Sequence, residues 1–444
     1  MKELIESPLK GKKILFATVP ADGHVNPLTG LAKYLQELGC DVRWYTSNIF
    51  AGKLEKLEIP FYPFQQAVDI NANNLTELFP LRETITNPGE MIDHDMIHFF
   101  AARSEEYLQD IKDVYKDFKF DLMIADSMFS GIPLVKKALD VPVIAIGIVP
   151  LPANSVDLPP YGIAMLPSED AAEKLKYAEL HDGLNNVTLK KSITFFADIL
   201  DKYDIPNEKT SLYDLLIRQS DLYLQIGLPS FEYTRTDLAD NIRFIGGLSS
   251  YSGKAENKPW FDERLKNYDQ VILVTQGTIE RDHRKLLEPT IEAFINTDTL
   301  VIVATGGFNT EVLQRKYVAD NVIIADFIPF NEVMPYADVY VTNGGYGGTM
   351  LSVKNKLPMV AAGVHEGKNE ICARIGYFKV GLDLKTDTPE VNVIRDAVNE
   401  VLANPVFQGN VSKLARELDA YDPLELSTKH IIEVMRLHAL ESAY

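Results

Sequence analysis

Along almost its whole length the chain alternates short β-branched runs with stretches of helical period, beginning at Lys13-Ile14-Leu15-Phe16-Ala17-Thr18-Val19. A strand–helix–strand repeat returns the chain to the same end of a sheet before each new strand, so the pattern demands parallel sheets flanked by helices. In the N-terminal half the further strands expected are 41–46, 120–125, 141–146 and 222–226. In the C-terminal half they are 271–275, 300–304, 322–325, 339–342 and 359–361. Two such series in 444 residues exceed what one core accommodates and specify an α/β protein with two doubly wound parallel-sheet domains. Between the series, Ser249 to Lys266 is polar and contains both Gly and Pro, as a linker does. The expected division is a first domain over 1–248, a linker over 249–266, a second domain over 267–423 and a terminal helical segment over 424–444. A return of that last segment to the N-terminal domain is one option for it.

Composition removes several classes of function. Apolar residues are 46% and charged residues 24%, ordinary values for a globular protein. The net charge of −19 repels nucleic acid and anionic membrane surfaces, and no Lys/Arg-rich block with interleaved aromatics counters it. The opening Met1-Lys2-Glu3-Leu4-Ile5-Glu6 carries charge where a secretory signal is apolar. Nowhere does the chain reach the roughly 18 uninterrupted apolar residues of a membrane span. The expectation is a soluble cytoplasmic protein without integral membrane association and without a nucleic-acid partner. Cys40 and Cys372 fit no zinc or redox spacing and read as inert core thiols.

In Val339-Tyr340-Val341-Thr342-Asn343-Gly344-Gly345-Tyr346-Gly347-Gly348-Thr349 an apolar strand runs into four glycines and then a helical pattern. A helix N-terminus presents unpaired N–H groups and the positive end of the helix dipole, and glycine lets an anion come close. No Lys-Ser or Lys-Thr follows, and the spacing is not G-x-G-x-x-G, which excludes a P-loop and a nicotinamide fingerprint. Phosphate binding and a plain tight turn are the two readings left.

In open parallel sheets, ligands sit beyond the carboxyl ends of the strands. Two N-terminal loops lie there. The first, Pro20-Ala21-Asp22-Gly23-His24-Val25-Asn26-Pro27, is read with Gly23 at a sharp turn and Pro27 in the first turn of a helix reaching Leu38, which puts His24 at a strand-to-helix junction. The second delivers Asp126 to the end of another strand. Asp126 has two readings: it holds the imidazole of a general base, or it caps a helix beginning near Phe129.

The set Gly23-His24-Val25-Asn26-Pro27, Thr275-Gln276-Gly277-Thr278, Phe327-Ile328-Pro329 and Thr342 to Thr349 resembles the nucleotide-sugar-dependent glycosyltransferases of the GT-B fold, family 1. Within them it is most similar to the bacterial macrolide and flavonoid glycosyltransferase-like members of the UDP-glycosyltransferase superfamily. The motifs occur in order across nearly the whole chain. The resemblance implies two Rossmann-like domains facing a cleft, an N-terminal one for the acceptor and a C-terminal one for the nucleotide sugar. It implies transfer with inversion at the anomeric carbon, without a metal or other cofactor, the nucleoside diphosphate sugar serving as co-substrate. His24 matches the family's base and Asp126 its partner. The one Asp-x-Asp, Asp93-His94-Asp95, falls in a helical run from Met91 to Ile111 rather than at a strand end, and is read as chance.

On the donor side the resemblance assigns Phe327 to stack on the base and Ile328 to read the base edge through its backbone. Gly277, Thr278, Gly345, Gly347, Gly348 and Thr349 fall around the phosphates. Three positions depart from the family. Asn343 replaces a phosphate-binding His, Leu351 replaces a Glu that holds the ribose, and Gly367-Lys368 replaces an Asp-Gln pair at the sugar, with Glu366 one position earlier. Loss of the ribose-binding Glu leaves room for a deoxyribose, which makes a dTDP-linked rhamnose or other deoxysugar a candidate beside UDP-glucose. For the acceptor, the proline-rich, apolar segment from Pro150 to Gly162, with Phe79, Met91, His94, Phe99 and Met165, is read as the lining for an apolar hydroxylated molecule such as a flavonoid or polyketide. Two alternatives stand beside transfer, a sugar-nucleotide epimerase on the same fold and a noncatalytic nucleotide-sugar sensor.

Overall fold

A computed structural model describes residues 7–71, 73–251 and 260–441. The charged opening Met1 to Glu6 and most of the expected linker, 252–259, lie outside the described residues. In the first half the strands are β1 (Lys13–Ala17), β2 (Asp41–Thr46), β3 (Phe61–Pro63), β4 (Leu122–Asp126), β5 (Val143–Gly147), β6 (Leu222–Ile226) and β7 (Ile242–Gly246). In the second they are β8 (Gln270–Thr275), β9 (Thr299–Ala304), β10 (Val322–Ala325), β11 (Val339–Thr342), β12 (Met359–Ala361) and β13 (Gly381–Asp383).

These strands make a seven-stranded sheet in the order β3-β2-β1-β4-β5-β6-β7 and a six-stranded sheet in the order β10-β9-β8-β11-β12-β13. Neighbouring named strands are parallel throughout. Helices cover both faces, which is why the central strands read as unbroken apolar runs: every residue of β4, β5, β6 and β9 is buried. Three strands escape the apolar-run reading, β3, β7 and β13, and all three are sheet edges. They are short or half exposed, and β3 closes on Pro63, which suits an edge and breaks the apolar signature.

Chain order reverses between β1 and β4 in one sheet and between β8 and β11 in the other, so each sheet opens a crevice at that switch point. One apolar cluster runs through both halves, from Phe16, Trp44 and Ile124 to Leu273, Ile302 and Tyr340. Two more clusters fill the outer layers, around Tyr107 and Phe129 in the first half and around Ile291 and Val398 in the second. The last helix, Pro423–Glu441, lies against the first helix and β7 and buries Ile431 and Val434 in the shared cluster. Among the described residues no helix is long and apolar enough to cross a membrane.

Two local expectations need correction. The helix after β1, α1, spans Asp22–Glu37, so it starts before Gly23 and Pro27 lies inside it, in the second turn. Gly23 is therefore helical rather than at a sharp turn. The run from Met91 to Ile111 is not one regular helix either: Pro88–Asp95 is α-helical, Met96–Phe100 widens to a π-turn, Ala101–Arg103 tightens, and Ser104–Asp117 resumes. A widened turn of this kind re-aims its side chains and recurs at functional sites.

Candidate active site

At the first switch point, α1 begins directly beyond β1 and places His24 in its first turn. From the adjacent strand, Asp126 ends β4 and is fully buried. The two meet: His24 Nδ1 lies 2.8 Å from Asp126 Oδ1. The carboxylate also accepts from Met128 N through Oδ1 and from Val19 N through Oδ2, each at 2.8 Å. The next helix is Ile132–Leu139 with Gly131 at its N-cap, so Asp126 does not cap it. Its oxygens are spent on the histidine and on two loop amides that hold the strand ends together. With the carboxylate already accepting from two amides, the imidazole tautomer that fits donates Nδ1–H to Oδ1 and carries its lone pair on Nε2. The His24 side chain is 20% exposed, whereas Asp126 is wholly enclosed.

The second switch point is built differently. After β11 the chain turns at Gly344 (φ 83°), and Gly345, in extended conformation, leads into the helix Tyr346–Lys354. The first intrahelical amide bond is Thr349 N to Gly345 O, which leaves the preceding N–H groups at the helix start for a ligand. The glycines separate into two kinds. A Cβ on Gly348 would fall 2.6 Å from Tyr340 Oη, so Gly348 serves packing. A Cβ on Gly345 or Gly347 would meet nothing within 4 Å, so the protein does not itself fill the space beside them. Thr349, expected near the phosphates, is buried with its hydroxyl donated to Gly345 O, so it closes the turn. Asn343 is buried and donates Nδ2 to Gln276 O, joining the end of β11 to the loop after β8. On that loop Gly277 is left-handed (φ 76°) and Thr278 is exposed.

Phe327 is 71% exposed, an unusual state for a large ring, and it lies over Gly307, whose missing side chain lets it come close. Ile328 beside it is buried. Gly306-Gly307 was not singled out from the sequence; a glycine pair just beyond a buried strand is the signal that marks it. Leu351 is half-buried against the shared core. Glu366 holds a left-handed backbone (φ 57°) followed by left-handed Gly367, and pairs with Lys368 Nζ at 2.6 Å at the start of the helix Lys368–Tyr377.

The halves touch across the cleft. Tyr346, first residue of the glycine helix, donates its hydroxyl to Ile226 O at the end of β6, 2.9 Å away. A Cβ at Gly227 (φ 117°) would fall 2.4 Å from that hydroxyl. The glycine helix thus starts against the carboxyl end of the first sheet.

Of the expected acceptor residues, Phe79, His94 and Phe99 come together, with ring centroids 5.1 to 6.2 Å apart. His98, absent from the sequence reading, completes the group 4.3 Å from His94, and burial lowers its pKa. The i, i+4 spacing of the two histidines is the signal that could have found it. Met91 stands on the same helix as His94, half-buried. Pro150 is buried just beyond β5 and Met165 is half-buried further along the same connection, away in sequence from the ring group. Asp93 accepts from Ser192 N and Asp95 is gripped by both arms of Arg82. Among the described residues no group of three or more His, Cys, Asp or Glu is placed to hold a metal ion. Cys40 and Cys372 are free and buried, and burial pushes their thiols up to about 11 and about 12.

Comparison with known proteins agrees in kind. Residues 288–433 match the model of the erythromycin biosynthesis protein CIII-like C-terminal domain. The chain is 31% identical over 414 residues to 4'-demethylrebeccamycin synthase of Lentzea aerocolonigenes, covering 93% of this chain and 97% of that one. It is 28% identical over 436 residues to UDP-glycosyltransferase 2 of Phaeomoniella chlamydospora, covering 95% of each. Among solved structures, the glycosyltransferase of kitacinnamycin superposes with a TM-score of 0.73 at 17% identity, over 96% of this chain and 99% of that one. A spinosyn rhamnosyltransferase complexed with thymidine diphosphate superposes with a TM-score of 0.65 at 15% identity, over 94% and 99%.

Proposed function

We propose an inverting, metal-independent sugar transfer for this chain, which belongs to the family 1 nucleotide-sugar-dependent glycosyltransferases of the GT-B fold. The reading moves a sugar from a dTDP- or UDP-linked donor, rhamnose or glucose being the candidates, to a hydroxyl of an apolar small molecule. The observation that carries it is the pairing of His24 with buried Asp126, set at one switch point while an open glycine helix occupies the other.

His24 Nε2 takes the acceptor hydroxyl's proton while that oxygen attacks the anomeric carbon from the face opposite the leaving group. A phenol, with a pKa of about 10, suits an imidazole base well. As the new C–O bond forms, the bond from the anomeric carbon to the diphosphate oxygen breaks and its electron pair stays on that oxygen. Buried Asp126 stabilises the imidazolium that results and fixes its ring. The growing negative charge on the nucleoside diphosphate meets the free N–H groups and the dipole at the start of Tyr346–Lys354, a preorganised role that needs no cation. Phe327, exposed over Gly307, offers its face to the base. Asn343 contributes through position, since its amide already holds Gln276 O. Glu366 and Lys368 are the polar groups closest in sequence to the place where the family contacts the sugar.

For the base, support comes from both directions. A neighbour of the same fold binds thymidine diphosphate, and Leu351 stands where a ribose-binding Glu would be, which favours dTDP; a curated relative is a UDP-glycosyltransferase. No observation favours the epimerase or the sensor. The test is mass-spectrometric product analysis with wild type and His24→Ala, a flavonoid and macrolide panel, and UDP-glucose or dTDP-rhamnose as donor. A sugar-mass increment made by wild type and lost in the variant is expected. Donor binding without an increment for any pair would overturn the reading.

A further inference from the structure

Both ends of the loop from Leu151 to Ala164 donate to carboxylates, Glu232 and Glu370, that share the single guanidinium of Arg374 in the other half of the molecule. Leu151 N donates to Glu232 Oε1 at 2.8 Å. Glu232 Oε2 accepts from Arg374 Nε at 3.0 Å and Nη2 at 2.9 Å. Arg374 Nη1 reaches Glu370 Oε2 at 3.0 Å, and Glu370 Oε1 accepts from Gly162 N at 2.8 Å and Ala164 N at 2.7 Å. Arg374 is 2% exposed and each glutamate 5%, and the guanidinium stacks 4.3 Å from the Tyr233 ring centroid. Each carboxylate oxygen in the chain of contacts is satisfied.

A buried ion triad is a weak source of stability, because desolvating the charges offsets most of their attraction. Its value here is geometric. Gly162 (φ 105°) and Ala164 (φ 52°) hold left-handed backbone, which an alanine resists, and the carboxylate of Glu370 is what their amides point to. Glu370 is in the first turn of Lys368–Tyr377, and Asn369 beside it donates Nδ2 to Gly162 O at 2.7 Å, so a shift of that helix start is felt at Gly162 and Ala164, while Asn154 to Asp157 are held by Asp214, Asp237 and Thr236 of their own half.

We propose that Glu370 and Arg374 are positioning residues that set the loop Leu151–Ala164, on the acceptor side, according to the state of the sugar-side helix start at Glu366 to Lys368. Acceptor capture is then conditional on the donor being in place. The inference rests on the reading above for which side takes which substrate.

Amide hydrogen exchange on the full chain tests it, with UDP-glucose and dTDP-glucose as probes. In wild type, the amides of 162 and 164 exchange slowly and slow further with a bound probe. In Glu370→Ala they exchange about tenfold faster and no longer respond to the probe, and the acceptor KM rises by about tenfold while the donor KM holds. Should Glu370→Ala fold poorly, the neutral triple variant Glu232→Leu/Arg374→Met/Glu370→Leu, which leaves the loop amides no side-chain acceptor, carries the same expectation. Unchanged loop exchange in a variant that melts like wild type, or donor and acceptor KM rising together, would overturn the proposal. If neither probe binds wild type, the donor reading falls instead, and the comparison of ligand-free wild type with the variants still decides whether the triad holds the loop.

Discussion

The two switch points solve opposite problems. Beyond β1 and β4 the protein supplies its own charge: a buried carboxylate takes up the imidazole and two backbone amides. Beyond β8 and β11 the glycine turn itself carries no charged side chain: Asn343 is neutral, the helix-start amides are left free, and the space at Gly345 and Gly347 is open. The first junction is complete without a ligand and suited to chemistry. The second leaves amides and space of the kind that suits an anion. A net charge of −19 makes that division sensible, since the long-range field repels a diphosphate and attraction has to come from local dipoles and a few cations such as Lys368.

The largest effect expected from disturbing the contrast is at the completed junction. His24→Ala should lower kcat by roughly 10³-fold, with nucleotide affinity by calorimetry unchanged. Asp126→Asn keeps the shape but turns an amide toward groups that now find a carboxylate. It should lower kcat by about 10²-fold and reduce the melting temperature, since Val19 N and Met128 N lose part of their acceptor.

At the open junction the signs separate. Gly347→Ala adds a methyl where nothing stands and replaces a helical glycine, so it should stabilise the unliganded protein by about 1 kcal/mol in denaturant unfolding. The same methyl occupies the diphosphate's approach and should weaken nucleotide binding by tenfold or more, on the order of 1.4 kcal/mol. Loss of both stability and binding would mean that the glycine serves packing, as Gly348 does. Phe327→Ala removes an exposed ring and should leave the melting temperature alone while weakening nucleotide binding by about tenfold, the usual worth of one stacked base. Smallest of all, a chelator should change the transfer rate by less than about twofold, whereas a large loss would place a cation where the helix start is assigned.

Legibility from sequence followed burial. The central strands were readable because burial on both faces makes them continuous apolar runs, and the edges β3, β7 and β13 were not, because one side of each needs no such run. The positions of His24 and Asp126 were readable as strand ends, but their contact spans 102 residues and arises only from the pairing of β1 with β4. Sequence could not sort the glycines either, since Gly347 and Gly348 are neighbours with opposite surroundings. Thr349 reads from the sequence as part of the phosphate turn, yet the helix uses both its amide and its hydroxyl internally. The Glu232–Arg374–Glu370 triad carried no local pattern, its members being 142 and 4 residues apart.

A crystal structure with an intact, nonhydrolysable nucleotide-sugar analogue tests the division of labour most directly. The account predicts the diphosphate on the amides at the start of Tyr346–Lys354, the base against Phe327, and the anomeric carbon turned toward His24 Nε2. A diphosphate bound elsewhere, or a sugar facing away from His24, would contradict it.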